Sequence, residues 1–270
     1  MREPGQSDLE DIRLPILLSR LAWFVSKFRF EGMIAHESNF GFRSPPFGPF
    51  SPLPALLLND SNSDTAGFDL GEFLSKKIFV YKDTQDRFDW KQQQYFYRTM
   101  YYGSSFDLAV YTASVLHQQG IMSMPDKYTL LYNPKLYLEL DHPRYELIGN
   151  TGVINYDTWL FRFELVFEQN KPFNTGDNSQ IPPAIGNDNS NSYSGMLGIG
   201  YSGFKEAQVS AEISKVFIEK DLALMFPAEK PSFAFRMSKK YLHDRLNILI
   251  VAMMMGKQAE LGWLARAQID

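Results

Sequence analysis

The chain has 270 residues and a net charge of −4, enough length for one large all-β domain or two ordinary domains. The mild negative charge, with no Lys/Arg run, argues against nucleic acid as a partner. With no cysteine in the sequence, disulfides, thiolate metal sites and cysteine nucleophiles are excluded. Aromatic residues make up 15% of the chain, a content that favours strands and the aromatic girdles of membrane barrels.

The first half of the chain predicts strands separated by turns, one long loop and one helix. Proline lacks the N–H that a ladder requires, so the segment 39–64 is predicted to be a Pro-rich loop. The segment Asp69–Lys77 predicts a short amphipathic helix. The predicted strands are Ile16–Trp23, Phe28–Ala35, Gln92–Tyr102, Ser105–His117 and Leu131–Leu140.

The second half predicts further hairpins around one low-complexity loop at 170–191, which is rich in Asn, Asp and Ser. The predicted strands are Tyr145–Ile154, Thr158–Glu168, Ser192–Ser202, Gln208–Phe217, Ser232–Tyr241, Leu246–Met255 and Leu261–Ile269. Short turns alternate with longer connections, as in bacterial outer-membrane barrels. The predicted fold is all-β: a single domain over residues 1–270, forming an antiparallel up-and-down transmembrane β-barrel of roughly 12 strands.

Membrane and targeting signals are consistent with strands rather than helices. No apolar stretch reaches the roughly 18 residues of a membrane-spanning helix, whereas Leu246–Met255 suits a transmembrane strand of about 9–11 residues. No secretory signal opens the chain, and the alternating pattern continues to Ile269. We therefore expect an internal piece of a longer barrel located in the outer membrane.

The segment 157–168 carries the clearest alternation. Trp159, Phe161 and Phe163 fall on one face of an extended strand, and Arg162 and Glu164 fall on the other. The period of two indicates a strand. A soluble sheet would bury the aromatic face under a second layer, whereas a membrane barrel would turn it to lipid and the charges to a wet lumen.

Charged residues in the polar phase of their strands are candidate lumen residues, because Arg or Lys facing lipid near the midplane costs about 2–4 kcal/mol. Opposite charges among them would brace the wall by pairing across strands, and the same charges would filter solutes. The candidates are Lys27, Arg29, Glu31, Arg98, Glu146, Arg162, Glu164, Glu212, Arg236 and Arg266.

Signals for chemistry are weak. The four histidines, His36, His117, His142 and His243, lack a metal-like partner at i+2 or i+4, and we interpret them as turn and rim residues. The Asn/Asp-rich loop lacks the bidentate Glu of a calcium loop. No Gly-x-Ser-x-Gly motif occurs. The sequence predicts no catalytic residue, no cofactor and no metal site.

Several motifs follow the order found in one bacterial family. In chain order they are Phe28-Arg29-Phe30-Glu31-Gly32, the strand Trp159–Val166, the hairpin from Gly198–Gly203 to Gln208–Glu212 and the segment Arg236–Leu246. The chain thereby resembles the DUF1302 family, a domain-of-unknown-function family of outer-membrane β-barrels. That resemblance implies movement of hydrophobic or lipid-like compounds across the envelope. It also implies envelope lipoprotein and resistance-nodulation-division exporter partners, and it supplies no catalytic residues.

The predicted function is a passive channel or transporter of the outer membrane, in contact with outer-membrane lipid. One alternative is a soluble β-sandwich with a binding or structural role, whose two apolar faces would pack about 10 Å apart. A second alternative is a lipid-modifying barrel enzyme, which requires a Ser or Asp within hydrogen-bond reach of a rim histidine.

Overall fold

The fold is seen in a computed structural model that describes residues 16–40, 76–86, 88–123, 132–177, 184–222, 231–241, 246–256 and 262–269. These residues form an eleven-stranded antiparallel sheet and a separate three-stranded sheet. The predicted all-β class with an up-and-down strand order is confirmed. Among the described residues, no helix has the length and apolar character that crossing a membrane requires.

The main sheet contains, in spatial order, β1 (Leu18–Val25), β2 (Phe28–Ala35), β4 (Gln94–Tyr102), β5 (Phe106–Leu116), β8 (Arg144–Tyr156), β9 (Trp159–Asp177), β10 (Ala184–Phe204), β11 (Ala207–Ile218), β12 (Ser232–Tyr241), β13 (Leu246–Met255) and β14 (Gly262–Ile269). The second sheet has the order β3 (Ile78–Asp83), β7 (Lys135–Asp141) and β6 (Ile121–Ser123).

Short turns lie at one end of the strands of the main sheet, and long connections lie at the opposite end. The turns after β1, β8 and β10 each have one residue with positive φ, at Ser26 (52°), Asp157 (52°) and Glu206 (57°). Two-residue hairpin turns favour such conformations because their twist matches that of the strands. The connection between β2 and β4 contains β3, and the connection between β5 and β8 contains β6 and β7. The second sheet therefore lies at the long-connection end of the main sheet.

The prediction of a loop over 170–191 is wrong for residues 170–177 and 184–191, and residues 178–183 lie outside the described residues. Strand β9 continues to Asp177 and β10 begins at Ala184, with Asp188 paired to Phe173 and Ala184 paired to Asp177. A shift in register between Ser190 and Ser192 interrupts the ladder, next to Asn170 at φ 53°. Backbone hydrogen bonds form a ladder whatever the side chains, so a polar segment extends a hairpin that its apolar neighbours have already aligned.

Other predicted elements differ in part. The segment predicted at Leu131–Leu140 is β7, and it pairs in parallel with β3 in the second sheet rather than joining the main sheet. Strands β3 and β6 escaped prediction because they are only six and three residues long. The predicted loop over 39–64 and helix over Asp69–Lys77 fall almost wholly outside the described residues.

Buried apolar side chains are concentrated at the long-connection end of the main sheet. They include Phe79, Ile121, Met122, Leu136, Leu138 and Leu140 of the second sheet and Val115 and Leu116 at the end of β5. The second sheet meets the main sheet where β6 contacts β9 and β10, and the N–H of Met122 donates to Oδ1 of Asn174 at 2.8 Å. Among the described residues, a small core thus anchors the long connections, and much of the apolar surface of the main sheet stays exposed.

Candidate functional site

One face of the main sheet is aromatic and aliphatic and lies exposed. The register pairs Phe161 with Ile199, Phe163 with Leu197 and Leu197 with Ile213, so that these side chains share a face. Leu197 is 63% exposed and Phe161 is 41% exposed. We call this surface, which continues through Leu21 and Trp23 of β1, the aromatic face. An apolar surface of this extent marks contact with lipid or with another protein.

Aromatic rings border the aromatic face along two rows. Near the short turns, ring centroids are 4.5 Å apart for Trp159 and Tyr201 and 5.1 Å apart for Phe28 and Tyr101. Towards the long connections, Phe167 lies 5.0 Å from Tyr193. The interval from Trp159 to Phe167 matches the roughly 9–11 residues of a membrane-crossing strand. Two aromatic girdles around an aliphatic band are typical of outer-membrane barrels.

The sandwich alternative requires a second layer over the aromatic face. Within the described part of the chain, the second sheet contacts the main sheet through β6 at the distal parts of β9 and β10. Leu165 and Leu197 remain more than half exposed. The packing of two aromatic faces that this alternative predicts is therefore absent from the described residues.

The opposite face carries the charges and is called the polar face here. Its most compact feature is Glu31 on β2, whose side chain is fully buried. Glu31 pairs with Arg20, with Nη2 of Arg29 at 2.8 Å, and with Nε and Nη2 of Arg98 at 3.0 and 2.6 Å. One carboxylate against three guanidinium groups leaves two uncompensated positive charges. We call these four residues the arginine cluster.

A second charge pair reaches across an intervening strand. Nη2 of Arg162 on β9 lies 2.6 Å from Oε1 of Glu212 on β11. Gly198 of β10 is paired with both residues, and a Cβ there would lie 3.2 Å from Cγ of Glu212 and 3.5 Å from Nε of Arg162. The missing side chain opens the space that the two long side chains use to meet.

Tyr111 on β5 makes a similar reach over a glycine. Its hydroxyl donates to Oε1 of Glu164 on β9 at 2.7 Å. Gly149 of β8 lies opposite Tyr111 in the register, and the tyrosine ring covers its backbone. Arg98 lies opposite Tyr111 on the other side, so one row of the polar face runs from the arginine cluster towards Glu164.

We expect Gly149→Val to separate Tyr111 from Glu164. A Cβ at position 149 would lie 2.5 Å from Cζ of Tyr111, closer than atoms can approach, so the ring must rotate away. The expected loss of stability is about 1–3 kcal/mol from overpacking, measured by urea unfolding in lipid vesicles. The matched control is Gly32→Val, because nothing lies within 4 Å of a Cβ at Gly32. An equal loss in both variants would contradict the role assigned to Gly149.

Most predicted lumen candidates share the polar face. The register joins Arg29, Glu31, Arg98, Arg162, Glu164, Glu212, Arg236 and Arg266 on that face. Arg236 and Arg266 flank Val251 of β13 in one row. That this face lines a lumen stays a prediction.

Two candidates differ from expectation. Glu146 pairs with Gln169 and Ser114, so it lies on the aromatic face, not the polar face. It lies one step beyond the girdle residue Phe167, where a charged side chain reaches the polar rim. Lys27 belongs to neither face because it is exposed in the turn between β1 and β2.

For the enzyme alternative, the described residues contain fragments of a catalytic site but no complete one. Oγ of Ser19 lies 2.7 Å from Nε2 of His36, but Nδ1 of His36 faces the amide of Gln93 at 3.2 Å. A neutral amide does not supply the negative charge that stabilises an imidazolium in a serine triad. His142 lies 3.0 Å from Oδ1 of Asp83, yet its side chain is fully buried and closed to substrate. His243 lies outside the described residues.

His117 holds the second sheet in place rather than titrating near neutral pH. Its carbonyl oxygen accepts from Nδ1 of His142 at 2.6 Å. Burial, and then the electrostatic effects of Lys171 and His142, lower the pKa of His117 to about 4. Among the described residues, no group of three His, Cys, Asp or Glu side chains is arranged to hold a metal ion.

Sequence reasoning missed Arg20, Tyr111 and Lys171. Arg20 shows a usable signal, since it alternates with Leu21 and Trp23 in β1. Tyr111 shows no such signal, because its role depends on Gly149 of β8, which is its neighbour in the sheet but lies far from it in the sequence. Lys171 falls in the segment predicted to be a loop, and its Nζ lies 2.8 Å from Oε2 of Glu168.

These features define a class: an up-and-down antiparallel sheet of the kind found in outer-membrane β-barrels, with an apolar face between aromatic girdles and a charged opposite face. The chain is similar to a solved porin, with a TM-score of 0.49 and 8% identity over 94% of this chain and 60% of the porin chain. It is also similar to the Ralstonia pickettii toluene transporter TbuX, with a TM-score of 0.30 and 11% identity over 93% of this chain and 71% of that chain.

The chain thus spans about 60% of the porin's length, and at these identities and TM-scores the two similarities carry no conclusion about substrate. No family model and no curated protein matches the sequence. The resemblance to the DUF1302 family therefore stays a hypothesis.

Proposed function

We propose that this chain forms the wall of an outer-membrane β-barrel that lets solutes pass passively, with the aromatic face towards lipid and the polar face towards the lumen. The observation that carries the proposal is the exposed apolar band between two aromatic girdles. In water such a surface is unfavourable at about 25 cal/mol per Å² of apolar area, whereas lipid covers it. Closed barrels and helices alone satisfy their backbone hydrogen bonds in a bilayer.

The polar face supports passage of polar or charged solutes. It carries the arginine cluster, the pair of Arg162 with Glu212, and Glu164 held by Tyr111. Charged rings and patches on a lumen wall select ions by sign. We assign the outer-membrane lipid as the partner of the aromatic face. The lipoprotein and exporter partners implied by the DUF1302 resemblance stay predictions.

Lipid-like cargo is a second candidate because of one strand. β13 brings Leu249, Val251 and Met253 onto the polar face by its register with β12, and both faces of this strand are apolar from Ile248 onwards. An apolar strip along a lumen wall would guide a hydrophobic compound, as the DUF1302 resemblance implies. Uptake of a hydrophobic dye into vesicles containing the protein distinguishes this candidate from passage of ions alone.

We expect purified protein, refolded in detergent and added to a planar lipid bilayer, to produce stepwise ion conductance. Extraction from cells is expected to require detergent, and the folded form is expected to migrate faster on a gel before heating than after it. A heat-unfolded sample serves as the control and should give no steps. A protein that stays monodisperse in aqueous buffer without detergent would overturn the membrane assignment.

A further inference from the structure

We propose that the arginine cluster of Arg20, Arg29, Arg98 and Glu31 is a binding site for small oxyanions, carboxylate or phosphate, and that it biases passage towards anions. The inference rests on the proposed function for its second part, because selection by sign requires that solutes move along the polar face. The binding site itself is argued from the contacts of these four residues.

Glu31 has no further capacity to neutralise the cluster. An ionised carboxylate offers about four acceptor positions. Nε of Arg20, Nη2 of Arg29, and Nε and Nη2 of Arg98 all donate to it. Among the described residues, no other acidic side chain pairs with these three arginines. Two positive charges therefore remain in the cluster, in a chain whose net charge is −4.

The arginines retain donors for a ligand. Each guanidinium has five N–H groups, and most of those in the cluster do not bond to Glu31. Arg20 and Arg98 are 47% and 36% exposed, so solutes at the polar face reach them. Nε of Arg29 is buried and has no hydrogen-bond partner. The planar fork of arginine matches carboxylate and phosphate oxygens in pairs.

The cluster is held together by its own ion pairs in the middle of β2. Glu31 fixes three long side chains in one arrangement, and the ring of Phe24 lies 5.1 Å from Cζ of Arg29. Preorganised donors lower the ordering cost of binding. Along β2, Glu31 lies three residues from Phe28 of the girdle near the short turns and three residues from Ile34, so the charges lie in the middle of this strand.

The test combines ion selectivity with direct binding of inorganic phosphate. In a planar bilayer under a KCl gradient, we expect an anion-to-cation permeability ratio of about 3–10 at low salt, because a focused positive patch raises the local anion concentration. Inorganic phosphate should reduce the chloride current. Calorimetric titration of detergent-folded protein with phosphate should show saturable binding that weakens with ionic strength.

The decisive variant is Arg20→Gln with Arg98→Gln, which removes both uncompensated charges and leaves Glu31 paired with Arg29. The permeability ratio should fall to about 1 and phosphate binding should be lost. The variant Arg20→Lys with Arg98→Lys keeps the charge without the fork, so it should retain part of the anion preference and bind phosphate more weakly. Lys205→Gln, in the exposed turn after β10, should change neither quantity. Gel mobility before and after heating confirms folding of each variant.

The outcomes separate the two proposals. A protein that conducts ions with a ratio near 1, unchanged by the double Gln variant, keeps the channel and overturns the anion site. A protein that conducts no ions overturns the channel, and phosphate calorimetry then decides the site alone. Phosphate binding that survives in the double Gln variant also contradicts the assignment to this cluster.

Discussion

Leu197→Arg is expected to destabilise the folded protein in lipid vesicles by about 2–4 kcal/mol, the cost of an Arg at the lipid-facing midplane of a barrel. Leu197 lies on the aromatic face between the girdle residues Trp159 and Phe167, through its pairing with Phe163. Because Leu197 is 63% exposed, the cost of this substitution distinguishes a lipid environment from water. In water, a substitution at so exposed a site would change stability by no more than about 0.5 kcal/mol.

Met196→Arg is the matched control because it changes the adjacent residue on the opposite face. Met196 is paired with Glu164 and with Ser214, so an Arg there would meet a carboxylate on the polar face. Its expected cost is below about 1 kcal/mol. Urea unfolding in phosphatidylcholine vesicles, followed by tryptophan fluorescence, measures both variants. Equal small losses for Leu197→Arg and Met196→Arg would exclude lipid as the environment of the aromatic face.

Glu31→Gln is expected to destabilise the protein by about 3–5 kcal/mol, because it removes the single counter-charge of three arginines at a buried position. Glutamine keeps the shape of the side chain, so the loss reports charge rather than a cavity. The guanidinium groups of Arg20, Arg29 and Arg98 would then repel one another across β1, β2 and β4.

Glu212→Gln provides the comparison for Glu31→Gln. The pair of Glu212 with Arg162 is short, at 2.6 Å, but its side chains are 38% and 34% exposed. Solvent screens such a pair, and its expected contribution is below about 1 kcal/mol. The same vesicle unfolding assay applies. A loss at Glu212 as large as that at Glu31 would contradict the central role of Glu31.

Strand period and turn chemistry predicted most of the main sheet. Ser232–Tyr241 and Leu246–Met255 are β12 and β13 with the predicted bounds, because two runs of strand length separated by only four residues fix a hairpin locally. The second sheet escaped because the parallel pairing of β3 with β7 joins segments far apart in the chain. The local sequence of either segment does not indicate which distant strand it pairs with.

The candidate site shows the same division. The polar phase of Arg162 and Glu212 could be predicted from alternation alone. Their contact could not, since it depends on Gly198 lying between them in the register. Glu146 was assigned to the wrong face because a strand's phase tells less about a charge near its end, where either face meets water. The environment of Glu146 depends on how far it lies from the end of its strand. Alternation in the sequence does not give that distance.

The number of strands in the main sheet restricts how its two edges can meet. Neighbouring strands alternate in direction through eleven strands. Because eleven is an odd number, the two edge strands, β1 and β14, run in the same direction. A cylinder made by joining these two edges directly would contain a parallel seam. A cylinder that is antiparallel throughout, the usual arrangement in bacterial barrels with even strand numbers, requires an odd number of further strands between them.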